Sequence, residues 1–258
     1  MCPSLEVLTP IGPGHGRLIE ACRASVEDAV RNAPGWDVDH LTIDDTAGRL
    51  GRSRARNKLL HWSTADWIFY LDADDLMHHH ALARLPGIDS LDAIWGQVTL
   101  GPDPWSDFQL DHYRMIREAR HLDVDHEVDW VRLFRDGPYG SLSMGHLVRG
   151  DIARATPFLE YMDEAEDFEN HLCLVSRHRW KKLLHPLTVI RPWASSKGPR
   201  RATGDWGKSC WRLIMFYSRR GTHPLGEDER QRPYYWYGWS GRITGGTPTC
   251  SSLALTVG

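Results

Sequence analysis

Short apolar runs alternate with amphipathic ones three times in the first 75 residues, and this alternation limits the fold more than any other feature. Leu5-Glu6-Val7-Leu8-Thr9 reads as a strand, closed by the turn residues Pro10-Ile11-Gly12-Pro13-Gly14-His15-Gly16. Leu18, Ile19, Cys22, Val26, Ala29 and Val30 then recur at helical spacing up to Asn32, and Ala33-Pro34-Gly35 ends the run. Val38 to Ile43 is a second strand ending on Asp44-Asp45. A basic helix near Ser53 to Ser63 follows, and then a third strand, Trp67-Ile68-Phe69-Tyr70-Leu71. Repeated strand and helix units of this kind build an open, mixed but mostly parallel α/β sheet flanked by helices. Ligands of such sheets bind beyond the carboxyl ends of the strands, which places Thr9, Asp44-Asp45 and Asp72-Ala73-Asp74-Asp75 along one common edge.

The rest of the chain is less regular. Ala93 to Leu100 reads as a further strand, Gly101-Pro102-Asp103-Pro104 as a turn or linker, and Phe108 to Ala119 as a polar amphipathic helix. Residues 163 to 178 carry an acidic first turn and a basic end, which suits a helix macrodipole. Leu183 to Ile190 returns to strand and residues 206 to 219 to helix; from Gly238 onward Gly, Ser and Thr dominate and the tail reads as poorly ordered. This organisation divides the chain into a first half over 1–100, a second over 101–200 and a basic, aromatic C-terminal extension over 201–258.

Composition narrows the class. With 258 residues, 41% hydrophobic and 25% charged, the chain can bury one substantial core. No apolar run reaches the roughly 20 residues that span a bilayer, and the first residues lack a leader pattern, so the expected compartment is the cytoplasm. Five scattered cysteines without C-x-x-C spacing point to neither a disulfide framework nor a zinc site. The net charge of -3 conceals a basic stretch: residues 177 to 232 hold 14 Lys and Arg against 4 Asp and Glu. This stretch is suited either to an anionic partner or to the acidic remainder of the same protein.

Asp72-Ala73-Asp74-Asp75 sets three carboxylates within four positions directly after five apolar or aromatic residues. Such like charges repel unless a cation or basic groups neutralise them, and a hard divalent ion such as Mg2+ or Mn2+ takes oxygen ligands from carboxylates and substrate phosphates. An acidic turn capping a following helix is the equally plain alternative. Upstream, Ala55-Arg56-Asn57 lies early in the basic helix, whose following strand runs into the acidic group. This succession resembles the A-R-N, helix, strand, D-x-D-D order of family 2 glycosyltransferases, an inverting group with the GT-A (Rossmann-like) fold.

The resemblance implies roles for particular residues. Thr9 and Pro10 match the first-strand nucleotide contact, Asp44 and Asp45 the second-strand aspartates, and Arg56, Asn57, Asp72 and Arg191 further donor contacts. Asp72 and Asp74 match the metal ligands for Mn2+ or Mg2+, with His185 as a further candidate beside a plain packing histidine. Gly12-Pro13-Gly14 departs from the Tyr-Asn often found after the first strand. Residues 141 to 174 match the acceptor-side segment, making Asp167 the general base and Glu166 its neighbour shaping the acceptor pocket. The base is needed because the acceptor hydroxyl must lose a proton as it attacks the anomeric carbon; on residues alone, an E-D pair at a helix start is equally a favourable end charge. Lys58 and Lys197 join the arginines as candidates for countering charge on the departing diphosphate. The implied reaction is metal-dependent, inverting transfer of a sugar from a nucleotide diphosphate donor, UDP-linked, to an acceptor hydroxyl. The acceptor stays open among a glycan, a lipid-linked sugar, a protein and a modified nucleic acid.

Two other readings compete. A haloacid-dehalogenase-type phosphatase also places D-x-D after a strand, but there the motif opens the domain. A non-catalytic nucleotide- or glycan-binding module would use the same pocket without turnover. Adjacent His78-His79-His80 point in different directions on a helix and cannot share an ion, so a solvated first helical turn is expected. Pro233-Tyr234-Tyr235-Trp236-Tyr237-Gly238-Trp239 fits either stacking on sugars and bases or sealing a core.

Overall fold

The computed structural model describes residues 2–83, 85, 88–100, 144–162 and 166–191. The linker at 101–104, the helices expected at 108–119 and 206–219, Lys197 and the aromatic run at 233–239 lie outside them.

Seven strands form one sheet: β1 (Ser4–Ile11), β2 (Asp37–Asp44), β3 (Trp67–Tyr70), β4 (Leu76–Met77), β5 (Ala93–Leu100), β6 (His146–Arg149) and β7 (Trp180–Ile190). Their spatial order is β2-β1-β3-β6-β5-β7-β4. β1 runs parallel to β2 and β3, and β5 parallel to β7, while β6 and β4 run against their neighbours. Among the described residues four α-helices accompany the sheet: α1 (Ile19–Arg31), α2 (Arg52–Trp62), α3 (Gly150–Ala155) and α4 (Glu166–Arg177). The mixed, mostly parallel sheet is thus observed, with each early element within two residues of its expected bounds. No described helix is long and apolar enough to cross a membrane.

Period-two alternation decides which side chains meet which helix. Leu8, Ile68, Tyr70, Val148, Ala93 and Trp95 pack with Leu59 and Leu60 of α2, Ala153 of α3 and Phe168 and Leu174 of α4. Val7, Trp67, Phe69, Leu147 and Ile94 face the other way, onto Ile19, Cys22, Val26 and Ala29 of α1. Strands buried on both faces read as nearly continuous apolar runs, which is why β3 stood out in the sequence. β2 is the exception: an edge strand with Asp37, Asp39 and Asp44 exposed.

Three features depart from expectation. β6 and α3 are too short, at four and six residues, to announce themselves by periodicity. β7 starts at Trp180, three residues before the expected strand, and carries Pro186 within it. Pro186 has no N–H to donate, and the register with β5 shifts around its partner Gln97. His78-His79-His80 form no helix; the backbone turns there, and His78 is fully buried with its amide donating to the Leu187 carbonyl.

β6 enters the sheet through Gly145, which lies at φ 86° and ties two strands: its N–H donates to the Tyr70 carbonyl and its carbonyl accepts from Thr188 Oγ1. A Cβ at this position would stand 2.7 Å from Thr188 Cβ and closer still to its hydroxyl. Gly145→Ala is therefore expected to cost about 2 to 4 kcal/mol, from left-handed strain and overpacking together. Urea denaturation checks this; a loss below about 0.5 kcal/mol would show that the entry to β6 is not constrained as described.

Candidate active site

The forward-running strands end together, and at that edge the chain from β3 passes into Asp72-Ala73-Asp74-Asp75. Carboxylate oxygens of Asp72, Asp74 and Asp75 all lie within 4.8 Å of one another. Asp74 is buried, while Asp72 and Asp75 are half-buried. Two arginines from elsewhere in the chain answer the repulsion among them.

Arg56, on the inward face of α2, is 1% exposed. Its Nη2 donates to Asp72 Oδ1 at 2.7 Å and its Nη1 to Glu166 Oε1 at 2.9 Å, while the guanidinium stands 5.1 Å from the Phe158 ring centroid. Burial alone would favour losing its proton; the Asp72 and Glu166 carboxylates outweigh that and hold the guanidinium firmly charged. Arg191, the residue after β7, donates from Nε to the Asp74 carbonyl at 2.9 Å and from Nη2 to the Ala73 carbonyl at 3.2 Å. Its Nη2 also reaches the Leu18 carbonyl at 3.4 Å, just before α1, and its N–H meets Asp75 Oδ1 at 3.4 Å. One arginine therefore grips the acidic side chains and the other the backbone that carries them.

Glu166 opens α4 and is 1% exposed. Besides Arg56 it accepts from Arg52 Nη1 at 3.4 Å. The next residue, Asp167, is half-buried, with its Oδ1 accepting the Phe168 amide at 2.8 Å. The Asp72–Arg56–Glu166 chain of ion pairs thus fixes the start of α4 against the acidic loop.

The other residues named from sequence separate into two groups. Asp45 is buried, and its carboxylate takes three backbone amides: Arg49 at 2.7 Å and Leu50 at 2.9 Å on Oδ1, and Gly51 at 2.9 Å on Oδ2. It builds the loop leading into α2, which leaves Asp44 as the exposed aspartate of the pair. The Asp44 carboxyl is held below its ordinary range by hydrogen bonds from Thr46, backbone first. Thr9 is fully buried, with Oγ1 2.9 Å from His40 Nε2; burial, and then the nearby Arg23, push the His40 imidazole down to about 4. Pro10 is buried beside it at the end of β1. Asn57 points away from the acidic loop: its Nδ2 donates to the Phe158 carbonyl at 2.8 Å and to Glu160 at 3.1 Å, and its Oδ1 accepts the Phe158 amide at 2.9 Å.

His185 does not reach the carboxylates. It lies within β7, six residues before Arg191, or roughly 20 Å along an extended strand. Its Nε2 donates to the His80 carbonyl, and burial lowers its pKa. A ring nitrogen that donates its proton to a carbonyl is not available to a metal.

A residue the sequence did not single out does reach them. His15, in the loop between β1 and α1, brings Nε2 to 3.7 Å from Asp74 Oδ2. That nitrogen is buried and has no hydrogen-bond partner. Only its place in the loop at a strand's carboxyl end pointed to it.

Residues 26–135 match the family described as glycosyl transferase family 2. Among solved structures, S. aureus TarS 1-349 in complex with UDP-GlcNAc is similar over 99% of this chain and 76% of its own, at 12% identity and a TM-score of 0.60. TarS 1-349 without that ligand gives 0.59 at the same identity, covering 75% of its length. Glucosyl-3-phosphoglycerate synthase from Mycobacterium tuberculosis, with Mg2+ and UDP, covers 87% of this chain and 81% of its own, at 12% identity and a TM-score of 0.50. No curated protein matches the sequence. The structural likeness shows a GT-A fold. The family match spans the A-R-N and D-x-D-D segments, and the enzyme class it carries is glycosyltransferase.

Removing Arg56 would strand two buried or half-buried carboxylates. Arg56→Ala is expected to cost about 3 to 5 kcal/mol in urea denaturation. Adding Glu166→Gln should restore part of it by removing one uncompensated charge. Additive losses in the double variant would contradict the coupling.

Proposed function

We propose that the chain transfers a sugar, with inversion, from a nucleotide diphosphate donor, UDP-linked, to an acceptor hydroxyl, with Mn2+ or Mg2+ held at Asp72 and Asp74. The observation that carries this reading is the carboxylate cluster at the sheet's carboxyl edge, gripped by Arg56 and Arg191 and tied through Glu166 to the helix that bears Asp167. The donor set fits a hard divalent ion: carboxylate oxygens converge within 4.8 Å, and the buried nitrogen of His15 faces them without a partner. UDP and UDP-GlcNAc in TarS, and Mg2+ with UDP in the mycobacterial synthase, support the same donor class and ion.

When bound, the cation would neutralise charge building on the departing diphosphate. The chain's own residues do the rest. The donor lies over the first half, within residues 1–100, where Asp44 is exposed for a base contact at the end of β2. Asp167 opens the acceptor side: its carboxylate takes the acceptor proton as the acceptor oxygen bonds to the anomeric carbon and the bond to the diphosphate oxygen breaks. Glu166 is not the base, because Arg56 and Arg52 hold its carboxylate in an ion pair. It positions α4 so that Asp167 stands beside the acidic loop. Arg56 acts in the same indirect way, its charge matched by two carboxylates and not by phosphate.

Asp74→Ala should lower divalent-dependent turnover of UDP-sugars by about a hundredfold or more, read as UDP release with Mn2+ present. Wild-type rates in that variant would overturn the metal assignment. Asp167→Asn should lower transfer by about a hundredfold to ten-thousandfold while donor binding, measured by calorimetry, is unchanged. Equal loss of donor binding would place Asp167 on the donor side instead.

A further inference from the structure

We propose that His15 is a ligand of the active-site cation, its Nε2 joining Asp74 from the loop between β1 and α1. This rests on the metal reading above and adds a nitrogen to a donor set otherwise made of oxygen.

The loop is shaped to aim this ring. Gly12 to His15 form a turn closed by the His15 amide on the Gly12 carbonyl at 3.0 Å, with Gly14 at φ 81°. The His15 carbonyl then accepts the Leu18 amide at 2.8 Å, leading the chain into α1. The imidazole lies back on its own turn, so that a Cβ on Gly12 would touch Nδ1 at 3.6 Å. The loop is also braced from outside. Pro13 stands against Gly48 and Gly16 against Thr46, across the loop that follows β2. With Nδ1 against the turn, Nε2 is the nitrogen directed at Asp74.

The distance suits a shared ion. On an octahedral cation with ligands at about 2.1 Å, adjacent ligand atoms stand about 3.0 Å apart and opposite ones about 4.2 Å. His15 Nε2 and Asp74 Oδ2, at 3.7 Å, are too far apart for a hydrogen bond and stand about 0.5 Å short of the opposite spacing, a movement that a loop side chain can make. A buried imidazole nitrogen without a partner is costly to leave so, and a cation between the two groups would satisfy both. A nitrogen ligand also has a consequence for metal choice. Mg2+ holds to oxygen ligands and dehydrates reluctantly, whereas imidazole is taken by transition ions, Mn2+ the weakest of them, so His15 should favour Mn2+ relative to Mg2+.

The test uses the full chain with Mn2+ and UDP. Electron spin echo envelope modulation of bound Mn2+ should show coupling to a directly bound 14N that disappears in His15→Ala and in His15→Gln. In the same variants the preference for Mn2+ over Mg2+, measured by competition, should fall about tenfold. Persistence of the 14N coupling in both variants would overturn the inference. So would an equal loss of Mn2+ and Mg2+ affinity, because a residue that only orders the loop has no reason to discriminate between ions. The Gln variant keeps a polar side chain of similar reach if the Ala variant does not fold. Asp74→Ala separates this claim from the reading beneath it: if that variant still binds Mn2+, the metal site itself is wrong. If it loses Mn2+ while the His15 variants match wild type, only the role of His15 falls.

Discussion

The ion-paired guanidinium of Arg56 is the contact on which the site depends. A charge this deeply buried is expensive to desolvate, and it stays because two carboxylates from distant parts of the chain receive its two terminal nitrogens. Asp72 belongs to the loop after β3 and Glu166 to the start of α4. Their common partner therefore holds the acidic loop and the start of α4 in one geometry. Hydrophobic packing brings the layers together without direction, and this pair of hydrogen bonds supplies the direction.

Arg191 performs a complementary task at the far end of the chain segment. Its guanidinium grips the Ala73 and Asp74 carbonyls, so the turn through them is shaped without a hydrogen bond from that guanidinium to the carboxylates. The sheet order makes this reach understandable. β7 pairs with both β5 and β4, and β4 follows directly from the acidic loop, so the residue leaving β7 arrives beneath that loop. Charges that would repel one another in isolation are carried by two arginines of opposite tactic.

Much of the frame was readable from residues alone because buried parallel strands leave apolar runs and amphipathic helices leave a 3.6-residue period. Both signals are local, and β1 through β3 with α1 and α2 carry them clearly. The acidic group was readable as a cluster for a similar reason, since three carboxylates fall within four positions directly after an apolar strand. Direction of a side chain is not local. Arg56 and Asn57 are neighbours in sequence yet point to opposite surroundings, one into the acidic loop and the other onto the Phe158 backbone. Asp44 and Asp45 split in the same way, one exposed and one bound by three amides. His185 looked like a ligand because histidines often are, but strand register sets it well away from the edge. His78 looked solvated beside its two neighbours, but the turn after β4 buries it. His15 gave no signal beyond its place in a loop at a strand's carboxyl end, because glycine-rich loops are ordinarily read as turns, and only the folded loop shows where the ring aims.

Asp72 and Asp74, held by Arg56 and Arg191, are proposed to form a cation and diphosphate site. Anomalous diffraction at the manganese edge, from crystals grown with Mn2+ and UDP, tests it most directly. A single strong peak is expected within coordination distance of an Asp74 oxygen, about 2.2 Å, with diphosphate density beside it. A peak elsewhere, or diphosphate bound with the aspartates turned away from it, would contradict it.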